Sequence, residues 1–167
     1  YSLAHAAAET MVEIHAFFFH VNHYHIVLTD PEAQLPKFMK LFNSIAARAL
    51  NRHWERSGAI YDCEKTYKYD RVQLDDIGVV AEKCRYVIAN GVKDGFVARA
   101  RHWPGLVSRR TAEEWAKCLP GETISVKTEG PRARLGVMRP ERFFSRVMPD
   151  RVELEITAPA SAASLAP

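Results

Sequence analysis

Apolar and polar positions along this chain change period several times, and the changes mark its elements. Residues 2–11, SLAHAAAETM, are rich in alanine and predict a short helix. Residues 12–20, VEIHAFFFH, predict a strand. Val21-Asn22 predicts a tight turn, and residues 23–29, HYHIVLT, predict a second strand rich in β-branched and aromatic side chains. Asp30-Pro31 is a turn and helix-start signal. From 35 to 55 the apolar residues Leu35, Phe38, Phe42, Ile45 and Ala49 recur at helical spacing. Lys40, Arg48, Arg52 and Arg56 follow at multiples of four and add a basic stripe. Residues 58–72 predict loops with one or two short strands. Residues 75–89, DDIGVVAEKCRYVIA, predict a helix opened by aspartates, with Asn90 and Gly91 as its C-cap. Beyond Ser108, ETISVKTE (122–129) and RVELEIT (151–157) are strand-like. The closing stretch APASAASLAP, about the last ten residues, has the composition of a disordered tail.

Length and composition narrow this picture. A chain of 167 residues with 47% hydrophobic side chains supports one globular domain with an appendage. The formal charge of +3 excludes little, so the local distribution of charge matters more. The three cysteines, Cys63, Cys84 and Cys118, form no CxxC pair. That argues against a disulfide scaffold or a cysteine-zinc site and predicts a reducing, cytoplasmic setting. No apolar run reaches the roughly 18 residues of a spanning helix.

The candidate chemistry begins with the histidines. Residues i and i+2 of a strand share a face, so His23 and His25 aim at one spot, where two imidazoles can share a metal ion. His15 lies too far away, and His20 is across the turn. An isolated His-x-His is more often a pair of satisfied strand histidines than a metal site. Tyr86 and Asn90, at i and i+4 of a helix, supply a phenol that becomes a nucleophile beside a cation and a carboxamide that ligates one. Taken alone, they also fit an amphipathic residue and a cap. Between 85 and 110 stand Arg85, Lys93, Arg99, Arg101, His102, Arg109 and Arg110 against Asp94 alone, with Trp103 among them. Basic residues interleaved with an aromatic suit a nucleic-acid backbone and unstacked bases. The bland alternative is a solvated basic surface.

Four blocks, NHYHIVLTD, LPKFMKLFNSIAARALN, RYVIANGVKDGFV and WPGLVS, come in the order found in the REP-associated tyrosine transposases, which the chain resembles over residues 1–108. That group belongs to the HUH superfamily of single-tyrosine insertion-sequence transposases. The resemblance implies an α+β, ferredoxin-like fold, with an antiparallel sheet carrying the histidines and helices on one face. It implies a first strand ahead of the 2–11 helix, which is expected to be missing here, and it makes 109–167 a C-terminal extension. It further implies a divalent ion, Mg²⁺ or Mn²⁺, on His23, His25 and Asn90, with Tyr86 as catalytic nucleophile. Imidazole ligands favour Mn²⁺. The implied activity is DNA transposition through nicking and strand transfer of single-stranded or hairpin DNA, by a monomer or homodimer without a membrane partner. Where the family usually reads Asn-Pro-Val, this chain has Asn90-Gly91-Val92. Lys40, Arg48, Asn51, Arg52, Arg99 and Arg101 are the candidate DNA contacts from the basic surfaces. Two rival readings remain open: a catalytically inactive DNA-binding remnant, and a metal-dependent phosphodiesterase that uses water.

Overall fold

A computed structural model describes residues 1–61, 69–108, 123–129 and 151–157. The expected disordered tail, Cys63, Cys118, Arg109 and Arg110 lie outside the described residues, as do residues 62–68 of the region expected at 58–72 to hold loops and short strands. The elements run α1 (Ser2–Thr10), β1 (Glu13–Phe19), β2 (Tyr24–Thr29), α2 (Leu35–His53), α3 (Ile77–Ile88), α4 (Asn90–Lys93), a 3₁₀ turn (Ala100–His102), β3 (Thr123–Glu129) and β4 (Arg151–Thr157). The class is α+β. The sheet order is β2-β1-β4-β3, with β1 and β2 antiparallel and β4 parallel to β1 through Ile156 and Ile14. The chain forms two compact units that interleave in sequence, and strands from beyond 108 enter the sheet.

One unit contains α1 and α2, packed on each other. Leu3, Ala4 and Ala6 of α1, and Phe38, Met39, Phe42 and Ile45 of α2, are buried. Phe38, Phe42 and Ile45 carry the spacing read from the sequence, while Leu35 and Ala49 of the expected face are half-buried. Phe38 and Phe42 stack with ring centroids 6.3 Å apart. Thr10, the buried polar group of α1, sends its hydroxyl to the Ala6 carbonyl at 2.6 Å, so its burial carries no unpaired donor. Asp30 acts as the expected start signal: its two carboxylate oxygens accept from the backbone N–H groups of Gln34 and Leu35, both at 2.8 Å. These are amides at the start of a helix, which otherwise lack partners.

The other unit holds the β1–β2 hairpin, α3 and α4. The Val21-Asn22 turn is closed by a 2.8 Å bond from His20 N–H to the His23 carbonyl. The hairpin register shifts between Ile14 and Ala16, leaving His15 as an extra residue in β1. His15 is 2% exposed, and its Nε2 meets Thr29 Oγ1 at 2.8 Å. It is a satisfied core histidine at a bulge. Asp76 caps α3 as the sequence predicts, accepting from Gly78 N–H at 2.7 Å and Val79 N–H at 3.2 Å. Ala81, Cys84 and Val87 form the buried face of α3, and Cys84 and Val87 belong to one cluster with Ala16, Phe18, Val27 and Trp103. Burial also pushes the Cys84 thiol up to about 11.

Candidate active site

Every residue named for the chemistry lies in the hairpin unit. His25 is in β2, and His23 is the last turn residue before it. Their ring centroids are 5.1 Å apart at 85°, so the i, i+2 pair shares a side as expected. His20 stacks on His23 at 4.7 Å and 16°. Tyr86 comes from α3 and meets the His25 ring edge-on at 6.2 Å. The hairpin tip and α3 thus bring three histidines and one phenol into a single chain of ring contacts.

The hydrogen bonds show which groups are oriented. His23 Nδ1 lies 2.8 Å from Asn22 Oδ1. An imidazole N–H donating to that oxygen leaves Nε2 as the lone-pair nitrogen, the arrangement of a metal-ligating histidine. Burial, then the neighbouring His23, holds the His25 imidazole below the usual histidine range, which favours its neutral, ligating form. Lys93 Nζ donates to Tyr86 Oη at 2.9 Å and stands 4.5 Å from the ring centroid. Lys83 Nζ stands 5.6 Å from the same centroid on another side chain of α3. The hydrogen bond to Tyr86, followed by the charge of that group, raises the Lys93 ammonium above its ordinary range, so it stays cationic at neutral pH.

His20 has no such partner. Both of its ring nitrogens are buried without a hydrogen bond. A neutral imidazole carries one donor and one acceptor, and leaving them unpaired costs about 1–3 kcal/mol each. The ring is held instead by aromatic neighbours: His23, Trp103 at 5.6 Å and Phe96 at 4.9 Å.

Asn90 departs from the sequence expectation in one respect. It is not the C-cap of a single helix. Ala89 (φ −85°, ψ 1°) ends α3, and Asn90 opens the one-turn α4. Tyr86 is 39% exposed while Asn90 is 2% exposed, so the break separates an accessible phenol from a buried carboxamide. A Cβ at Gly91 would stand 3.0 Å from Trp103 Cε3 and 3.3 Å from Phe18 Cζ, so glycine lets the α4 backbone approach the indole.

Trp103 is also not the exposed stacking residue its basic surroundings suggested. It is 7% exposed, packs on Phe18 at 4.7 Å, and donates its indole N–H to the Phe19 carbonyl at 3.2 Å. The rest of the WPGLVS block binds the same strand. Val107 bridges to Phe18, and Phe19 N–H donates to the Leu106 carbonyl at 2.9 Å. The Ser108 hydroxyl accepts from Phe17 N–H at 2.9 Å. Sequence reasoning missed Ser108 and Gly105, and the available signal was Gly105 itself. A Cβ there would stand 2.6 Å from Trp103 Nε1, which only glycine avoids.

The DNA-contact candidates fall in both units. Lys40, Arg48 and Arg52 are exposed on α2, and Arg99 and Arg101 are exposed at the start of and within the 3₁₀ turn. Asn51 differs from them. Its side-chain amide donates to the Gly58 carbonyl at 2.7 Å and so closes the loop after α2.

Two imidazoles, one oriented by Asn22 and one held neutral, suit a divalent cation. Among the described residues no group of three His, Cys, Asp or Glu side chains is placed to share an ion. No helix among the described residues is long and apolar enough to cross a membrane. No family model matches the chain, and no curated protein or solved structure matches it either.

Proposed function

We propose that this chain is a single-tyrosine strand transferase acting on single-stranded or hairpin DNA in the cytoplasm, a transposase of the HUH type. The observation that carries the reading is the placement of Tyr86: an exposed phenol hydrogen-bonded by one lysine, flanked by a second, and in ring contact with His25.

The chemistry follows from those neighbours. Tyr86 Oη attacks phosphorus, the bond from phosphorus to the 3′-oxygen breaks, and the phenolic proton is lost as the 3′-oxygen gains one. The products are a 5′-phosphotyrosine and a free 3′-OH, and attack by a 3′-OH reverses the step. Attack needs phosphorus about 3–3.5 Å from Oη. Lys93 Nζ, 2.9 Å from Oη, then meets a non-bridging phosphate oxygen and opposes the charge that builds there. His23, His25 and Asn90 are the residues that would hold Mg²⁺ or Mn²⁺, which supplies Lewis-acid polarisation of the phosphate. Arg99 and Arg101 lie at the start of and within the 3₁₀ turn of the same unit and suit the flanking phosphates.

The test is Tyr86→Phe, assayed with Mg²⁺ or Mn²⁺ on single-stranded and hairpin DNA. Cleavage and the covalent adduct on denaturing gels vanish together, while folding and DNA binding stay close to wild type. An adduct that persists in the phenylalanine variant moves the nucleophile elsewhere. Cleavage by wild type without any adduct points to a water-using phosphodiesterase.

A further inference from the structure

Phe96 is 59% exposed, yet it sits in the middle of the ring contacts that define the site. Its ring meets His20 at 4.9 Å and Trp103 at 6.2 Å, tilted 66° and 70°, so neither contact is a parallel stack. Exposing a phenyl ring to water is unfavourable, and a mobile loop would be the simple explanation. The backbone argues against that explanation. Gly95, at φ +75°, reverses the chain after α4, a conformation that glycine adopts without strain. The N–H groups of Phe96 and Val97 then both donate to the Gly91 carbonyl, at 3.0 and 3.2 Å. Gly91 itself is fixed beneath Trp103. The exposed ring is therefore anchored at its backbone and braced by two buried or half-buried rings.

The surrounding charge selects the ligand. Lys93, Arg99 and Arg101 are all exposed within five residues of Phe96 along the chain. A rigid exposed aromatic among cations matches a base with its phosphates: the π-face takes any base, and the cations take the backbone. Trp103, the aromatic that its sequence surroundings favoured, is buried and cannot do this.

We infer that Phe96 is a stacking platform for one nucleobase of a single strand, next to the scissile phosphate. This rests on the single-stranded DNA reading above and adds to it a base-binding position that depends on no base identity. The histidines beside it complete the aromatic wall, while Phe96 offers the open surface.

The test uses the full chain and two probes of equal length: a deoxythymidine oligonucleotide, and the same backbone with abasic sites in place of the bases. Wild type binds the base-bearing probe more tightly. Phe96→Ala and Phe96→Leu both lose about 5- to 150-fold of that affinity, the range for removing one stacked base, and bind the abasic probe as wild type does. Phe96→Trp keeps the preference. Circular dichroism melts confirm that the variants fold, as expected for an exposed side chain. Full retention of the preference in Phe96→Leu overturns stacking, because leucine keeps apolar contact without a π-face. Equal affinity of wild type for both probes, or none for either, overturns it as well. The covalent adduct is scored on the same samples. A Phe96 effect without adduct removes the nuclease reading and leaves the platform standing. Adduct without a Phe96 effect removes the platform alone.

Discussion

The helix pair α1–α2 and the hairpin unit solve burial in different ways. In the helix pair the buried side chains are apolar at regular spacing, and the one buried hydroxyl, Thr10, bonds back to its own helix. In the hairpin unit the buried set includes His15, Asn90 and Ser108, and the nitrogens of His20 go unpaired. The first region has one orphan of its own, Asn51 Oδ1 near the end of α2, but among the described residues the fully buried polar side chains other than Thr10 all lie in the second, and such departures from local rules gather where a protein keeps its chemistry. The residues proposed for chemistry all lie in the second region.

The comparison can be broken most directly in the helix pair. Phe38 is fully buried and stacked on Phe42. Phe38→Ala is expected to destabilise the chain by about 3–5 kcal/mol in urea unfolding. A loss below about 1 kcal/mol would mean that the helix pair is not the stabilising region. In the hairpin unit the largest expected loss comes from overpacking. A Cβ in Gly105→Ala must displace the Trp103 indole and break its bond to the Phe19 carbonyl. The expected cost is about 1–3 kcal/mol, together with a changed tryptophan emission as the indole meets water. Unaltered emission would show that Trp103 is not locked by the WPG segment.

A smaller effect sharpens the same contrast. Asp76→Ala removes the acceptor for two amides of α3 and is expected to cost about 1 kcal/mol by thermal melting. Asp76→Asn keeps an acceptor and restores most of it. Because α3 carries Tyr86, the alanine variant also tests whether fraying of the helix start reaches the phenol. The distance of ten residues predicts that adduct yield at saturating DNA stays unchanged.

The same contrast explains what could be read from the chain. Spacing fixed α2 to within two residues at its C-terminal end, since helical period is a local property (Leu35–His53 against 35–55). Asp76 and Asp30 were legible because capping is local too. The closeness of the His23 and His25 rings follows from their i, i+2 spacing, although His23 stands in the turn before β2 and not in the strand. What escaped depends on contacts far apart in sequence. Trp103 to Phe19 spans 84 residues and Ser108 to Phe17 spans 91. No window along the chain contains both partners, so a tryptophan among arginines was read as a surface residue. The α3–α4 break escaped for a related reason, because Gly91 answers to the Trp103 ring and not to the preference of its own helix. Phe96 was overlooked because exposure is invisible in sequence.

The smallest effect concerns acid, and its sign is fixed by His25. Burial and the neighbouring His23 lower its folded pKa below the ordinary 6.5. As pH falls through about 6.5, the unfolded chain therefore takes up this proton before the folded chain does. The stability contributed by a neutral His25 is present above that pH and is lost on acidification toward the lower folded value. The ring is partly exposed, so the effect is modest and is best read by difference. Urea midpoints at pH 7.5 and 5.5 should fall more for wild type than for His25→Gln, and the His25 ring proton should titrate below 6.5 by NMR. A titration above 6.5 would sink the argument, because it would mean that an anionic partner outweighs burial. The same proton bears on activity. Protonated imidazole cannot ligate a cation, so adduct formation should weaken over the window in which stability falls. Excess Mn²⁺ should restore it by competing with the proton, whereas a purely structural His25 would lose activity only in step with folding.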